Sequence, residues 1–389
     1  MANFAQLLLK FFTSLRLTVV LLVMSLVLIF CATLAQVNLG IYGVLGKFFR
    51  SFFVWTDVPN TSFSLPIFPG GYLIGGLLMI NLIASHVYRF KLTWKKAGIQ
   101  LTHFGLIVLL VGELVSGLLQ EDFSLRLEEG ETRNYSDSFR RNEVVLVDTS
   151  DPQFDEVVTI PEALIEDETT VQHAKLPFRV VPRGYFPNAN LTMLNSLPGG
   201  TATPGVAANP ADQGIGPRLA LLPAPLTYND QERNLPAAFL ELIGTDGSLG
   251  TWLVSPMLTQ PQTFDYDGRT WRIAFRFERE YKPFSLSLIE LKHDVYPGSN
   301  IPKNFSSLVR LQTEDGSEDR ESLIYMNHPL RHQGYTFYQY QMDSSNGFSV
   351  LQVVRNPARA LPYIACILMS AGLLWQFTFH LTKFARRRP

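Results

Sequence analysis

Two histidines lie where an ionisable group is costly. His86 falls in NLIASHVYRF and His103 in IQLTHFG, each inside a long apolar run. Ionisable groups at membrane depth usually mark a site. Neutral imidazole is also a common ligand of metals and of haem iron. The ordinary alternative is a histidine that hydrogen-bonds a neighbouring helix or reaches for the interface. His86, close to Tyr88 and Arg89, suits that alternative better than His103 does. Gly105, two residues after His103, lets a helix or a flat ring approach closely. Glu113 lies further along the same run and is expected either to pair with a partner or to reach the interface.

Other residues offer less chemistry. His173 and His293 read as surface or loop residues. His328 and His332 in NHPLRHQGYTFYQY have the i, i+4 spacing of a helical metal site. Pro329 and Gly334 argue against a helix there. Cys31 and Cys366 both lie in apolar runs, and no Cys-x-x-Cys occurs. That excludes a thiol-redox or zinc-thiolate site, and without Cys-x-x-Cys-His the chain has no covalent haem attachment of its own. No Gly-x-Ser-x-Gly, P-loop or His-Glu-x-x-His occurs either, so hydrolase and kinase signatures are absent. The formal net charge of −1 gives no bias towards nucleic acid.

The elements that must position these residues are membrane helices. Hydrophobic residues make up 47% of the 389 residues and charged residues 17%, against about 25% charged in a soluble domain. The excess is concentrated before residue 120 and after residue 360. Four runs are long enough for the bilayer core at 1.5 Å per residue: Leu17 to Gln36, Gly71 to Tyr88, Ala97 to Leu119 and Leu361 to Leu381. The first is too long for a signal peptide, although Thr33-Leu34-Ala35 resembles a cleavage site. Residues 37–68, rich in Phe, Gly and Pro, are expected at headgroup level. Lys10 and Arg16, then Arg89, Lys91, Lys95 and Lys96, then Lys383 and Arg386-Arg387-Arg388 flank the runs. With four spans, all three cationic groups fall on one face, as the positive-inside rule requires. Both termini are then expected in the cytoplasm of a cell bounded by its inner (plasma) membrane, and residues 120–360 outside it. His86 and His103 lie in the cytoplasmic half of antiparallel spans.

Residues 121–358 are expected to form a β-rich extracytoplasmic domain between the membrane regions 1–120 and 359–389. Alternating runs recur at 143–148, 178–186, 270–280 and 284–294. Asp246-Gly247, Asp267-Gly268 and Asp315-Gly316 separate strands as turns. An all-β sandwich or open barrel follows. The Gly-, Pro- and Ala-rich stretch 197–225 reads as a long excursion loop. The frame is small for a secondary transporter, and no inverted repeat is visible.

The sequence resembles the ResB family of system II cytochrome c biogenesis proteins. Four stretches carry the likeness: SLRLTVVLL with ATLAQ, the cationic hairpin into GIQLTHFGLIVLLVGELVSG, FSLRLEEGE with RNEVVLVD, and MNHPLRHQGYTFYQYQMD. The resemblance implies a subunit working with a ResC (CcsA)-like membrane protein. Haem passes to the outer face, where the thiols of apocytochrome c add to its vinyl groups. It further implies that His103 or His86 is an axial ligand of a non-covalent haem b shared with that partner. The chain lacks the tryptophan-rich motif of the partner and paired cysteines, so haem presentation and thiol reduction are expected from other chains. That makes it the non-catalytic half of a haem lyase. Two other readings stay open: a bis-histidine b-type electron carrier, and a haem-free scaffold for secreted partners.

Overall fold

A backbone removed from water can satisfy its own N–H and C=O groups as a helix, and the long apolar runs do form helices. The computed structural model describes residues 2–58, 63–88, 93–197, 203–227, 233–298, 302–343 and 347–386. Its helices are α1 (Ala2–Phe12), α2 (Leu15–Val44), α3 (Gly71–Tyr88), α4 (Ala97–Leu119), the short α5 (Glu162–Glu166) and α6 (Leu361–Ala385). Four of these, α2, α3, α4 and α6, are long and apolar enough to cross a membrane. They are apolar on every side and bury few residues within the chain, the pattern of a membrane span rather than of a core helix. Arg89, Lys91, Arg387 and Arg388, used above for orientation, lie outside the described residues, as does part of the 197–225 stretch.

Two differences from the sequence expectation concern helix length. α2 continues past Gln36 to Val44, through a break at Gly40 (φ 64°) that only a residue without Cβ adopts cheaply. The loop expected over 37–68 is therefore partly helical. It continues as a π turn (Leu45–Phe49) and a two-stranded hairpin, Phe53–Asp57 with Ser64–Pro69. α6 likewise runs on to Ala385, because Thr382 and Lys383 continue a helix as readily as they end one.

The chain divides into two compact units. One takes in residues 1–121 and 355–389, the other 122–227 and 232–354.

In the first unit, α4 packs along α6 on a seam of small residues. Gly98, Gly105 and Gly112, seven apart, are all buried, as are Ala365 and Gly372 opposite them. A Cβ on Gly98 would stand 2.6 Å from the Gly372 carbonyl oxygen, and one on Gly105 2.7 Å from Met369 Cγ. Lipid tails give no hydrophobic drive for helix association, so close backbone approach has to supply it. Trp94 and Trp375 stack at 5.3 Å at one end, and the Trp375 indole donates to the Trp94 carbonyl at 3.0 Å. At the other end the Asn356 amide donates to Ser116 at 3.0 Å and to Gln120 at 3.1 Å. α2 packs on α3 through Leu21, Leu28 and Ile74.

The second unit is β-rich, as expected. Its main sheet has ten strands, and a three-stranded sheet combines 179–186, 237–244 and 247–254. The three Asp-Gly pairs do sit at hairpin turns. One core lies between the two sheets, around Leu146, Val180, Leu240, Trp252 and Trp271. A second lies within the large sheet, around Phe123, Leu286, Val309, Phe337 and Leu351. Strand Arg269–Val295 serves both cores, and Thr132–Asp148, paired along it, serves the first. The runs 270–280 and 284–294 are thus one strand of 27 residues rather than two. Between the cores its register against 132–148 slips twice, at Phe277/Arg279 and Tyr281/Leu286. Such bulges re-aim side chains, and Lys282 is turned into a buried position there. Its Nζ donates to Ser136 Oγ and to the Glu280 carbonyl at 3.0 Å, and lies 5.0 Å from the Tyr335 ring centre. The stretch expected as one excursion loop is partly folded: Leu219–Pro223 pairs with Ala189–Met193 over a small core of Ala211, Leu219 and Leu221.

Candidate functional site

His86 stands in the last turn of α3 and His103 in the second turn of α4. An intervening stretch of eight residues brings these two helix ends together. Both histidines line one cavity of about 320 Å³. Its wall comes from the corner before α2 and the start of α2 (Thr13, Leu15, Thr18), the end of α3 (Asn81, Ser85, His86) and the start of α4 (Ile99, Gln100, His103). The histidines are therefore convergent, which spacing alone left open.

His103 has a fixed tautomer. Its Nδ1 lies 2.8 Å from the carbonyl oxygen of Ile99, one turn back on α4. A carbonyl only accepts, so Nδ1 carries the hydrogen, and in the neutral ring Nε2 is the nitrogen with the lone pair. This is how a ligating imidazole is usually held, its other nitrogen donating to a carbonyl or carboxylate. The ring is nevertheless exposed on the surface of α4. His86 is half-buried.

The rest of the wall is polar for an apolar frame. Asn81 is buried and fully engaged: it accepts from Thr18 Oγ1 at 2.7 Å and donates to the carbonyls of Phe12 (2.7 Å) and Ser14 (3.3 Å). Gln100 Oε1 is buried with no hydrogen-bond partner, an unmet acceptor beside two imidazoles. Sequence reasoning misses Asn81, Gln100 and also His380. The signal was available for all three, a polar side chain inside an apolar run. His380, near the end of α6, meets Gln376 (Nε2 to Nε2, 2.6 Å) and does not line the cavity.

The remaining candidates are placed elsewhere. Glu113 is exposed on α4 and does not line the cavity. Gly105 serves the approach of α6, not of a ring. His328 stacks on Tyr325 at 4.7 Å, and His332 pairs with Glu318 at 3.2 Å and meets Phe284 edge-on at 4.7 Å. Both lie in a hairpin, as Pro329 and Gly334 indicate. His293 stacks on Phe305 at 4.6 Å. Among the described residues no group of three or more His, Cys, Asp or Glu could hold a metal ion. Haem iron takes axial ligands one or two at a time, so that criterion does not bear on the cavity.

Residues 267–347 match the ResB-like family. The match takes in 81 of the 389 residues. The matched stretch runs from the long strand through the hairpin of His328 and His332, within the β-rich unit. Protein NrfI of Wolinella succinogenes is 32% identical over 125 residues. That alignment covers 32% of this chain and 14% of NrfI.

Proposed function

We propose that this ResB-like chain is a membrane subunit of a cytochrome c assembly complex, and that its helical unit holds haem on the way to the outer face. The observation that carries the reading is the convergence of His86 and His103 on one cavity, with Nε2 of His103 held ready by the bond from Nδ1 to Ile99. The donor set fits haem: imidazole nitrogens are its commonest protein ligands, and the cavity offers two imidazoles among otherwise uncharged groups. Haem, when bound, supplies the vinyl groups to which the thiols of an apocytochrome add. This chain's own groups have a narrower task. His103 offers a lone pair, Ile99 fixes the ring that carries it, and Asn81 locks the cavity wall.

The cavity also supports a shared site. Its volume is at the low end of ligand pockets, roughly 300–1,000 Å³. An exposed imidazole in an apolar helix is costly unless another surface covers it. A second membrane protein, ResC-like by the resemblance above, would complete the enclosure. The β-rich unit then meets the apocytochrome outside the membrane, and thiol reduction comes from another system. In the self-contained alternative, His86 and His103 hold one haem b between them and carry electrons, a reading that the shared cavity also favours.

The two are separated by where haem is found. Purified alone, the chain should carry little haem; co-purified with a ResC-like partner it should carry a b-type haem that His103→Ala depletes. Full occupancy in the isolated chain would favour the electron carrier.

A further inference from the structure

α1 contributes no side chain to the lining of the cavity described above, yet its sequence is strongly patterned. Phe4, Leu7, Leu8 and Phe11 follow the i, i+3, i+4, i+7 rule of a single helix face. These four side chains are 68%, 65%, 41% and 54% exposed. Gln6 and Lys10 lie on the opposite side, one turn apart. An apolar stripe of four large side chains facing water would be a costly surface.

The helix is also tied down at its C-terminal end. α1 stops at Phe12, and Thr13 turns back to donate to the Leu9 carbonyl at 2.7 Å. The carbonyls on either side of that corner, of Phe12 and Ser14, both accept from Asn81 of α3. α1 is thus a separate element, fixed by a buried amide where it meets a helix long and apolar enough to span. Phe12 turns inward, whereas the stripe faces away from the fold.

We propose that α1 lies in the surface of the membrane that α2 crosses, its Phe4–Phe11 stripe buried at the boundary of headgroups and acyl chains. The proposal rests on the spanning reading of α2. Two features select lipid as the occupant. Exposed apolar side chains resume just beyond the corner on α2, where Val19, Leu22, Val23 and Leu26 face outward, and the medium that covers a span is the nearest cover for the stripe. The cations near this corner, Lys10 and Arg16, suit the anionic phosphate layer. The placement bears on the histidine cavity as well. Thr13 and Leu15 of this corner line it, so α1 holds that part of the wall at headgroup depth. The cavity is then reached from the lipid–water boundary.

The test uses the full chain with Cys31→Ser and Cys366→Ser, reconstituted in vesicles of phosphatidylcholine and phosphatidylglycerol. An environment-sensitive fluorophore is attached in turn through Leu8→Cys, Gln6→Cys and Leu26→Cys. Lipids carrying a nitroxide at a shallow or a mid-bilayer depth, and iodide in the water, serve as quenchers. The label at position 8 should lose more fluorescence to the shallow nitroxide than to the deep one, consistent with burial of roughly 5–10 Å. The label at position 6 should respond chiefly to iodide, and that at position 26 to the deep nitroxide. If position 26 responds to the deep nitroxide but position 8 responds to iodide as position 6 does, α1 lies in water and the proposal is wrong while the span stands. If position 8 is shielded from lipid and iodide alike, protein covers the stripe and the proposal is equally wrong. If position 26 is not quenched by lipid, the spanning reading fails and takes the proposal with it.

Discussion

His103 is the residue on which most depends. If its Nε2 ligates iron, His103→Ala should remove most of the haem from the assembled complex and lower the yield of holocytochrome c. Added imidazole should restore part of the haem signal in His103→Gly, since the cavity then has room for a free ring. Normal haem content in His103→Ala would deny it a ligand role. A second prediction concerns Lys282. Burial lowers the pKa of its amine from 10.5 to about 8, with Glu280 and Asp137 opposing that shift. A lysine whose folded pKa is depressed carries an unfavourable desolvation cost at low pH, where both states are charged. As pH rises through about 8 the folded state sheds the proton while the unfolded chain keeps it. Stability of the β-rich unit should therefore rise between about pH 8 and 10.5, by up to ~1.4 kcal/mol per pH unit. Lys282→Met should flatten that rise in urea titrations followed by near-ultraviolet circular dichroism. An unchanged slope would mean that the amine is solvated.

At the scale of elements, the α4–α6 seam makes a prediction with two signs. Gly98→Ala puts a Cβ 2.6 Å from the Gly372 carbonyl oxygen and 2.9 Å from the Gln376 nitrogen, so backbone must move. It should lower the unfolding temperature in detergent. Gly117→Ala, on the same helix with nothing within 4 Å, should stabilise by roughly 0.5–1 kcal/mol, because alanine loses less backbone entropy. Equal effects would mean that the seam is not tight. The helices themselves were legible from sequence, since an uncharged run of bilayer length allows little else. Their pairing was not: Gly98, Gly105 and Gly112 look ordinary until the residues opposite them are known. The histidines were legible as a site for the same reason that Asn81 and Gln100 should have been. Sequence gives depth in an apolar run but not which way a side chain faces, so the convergence of His86 and His103 needed the fold. The merging of 270–280 with 284–294 was hidden by Lys282-Pro283, which reads as a break. A proline tolerated at a bulge and a lysine satisfied by Ser136 keep the chain extended there.

For the whole molecule, the proposed direction of haem movement depends on the orientation expected from the distribution of cations. Lys95 and Lys96, between α3 and α4, belong to the cationic groups from which the positive-inside rule gives the expected orientation. Replacing both with glutamine should weaken that orientation, and a reporter fused within 122–227 should then be found partly on the cytoplasmic side. An unchanged location would show that these lysines do not set the orientation. The β-rich unit holds the ResB-like match and the helical unit the histidine cavity, so the proposed function divides between two parts of one chain. The central claim is that the cavity is half of a haem site. It is tested most directly by a reduced-minus-oxidised visible spectrum of the chain purified alone and again with a ResC-like partner. A b-type signal confined to the complex and lost in His103→Ala is the predicted result, and a haem-free complex that still assembles would contradict it.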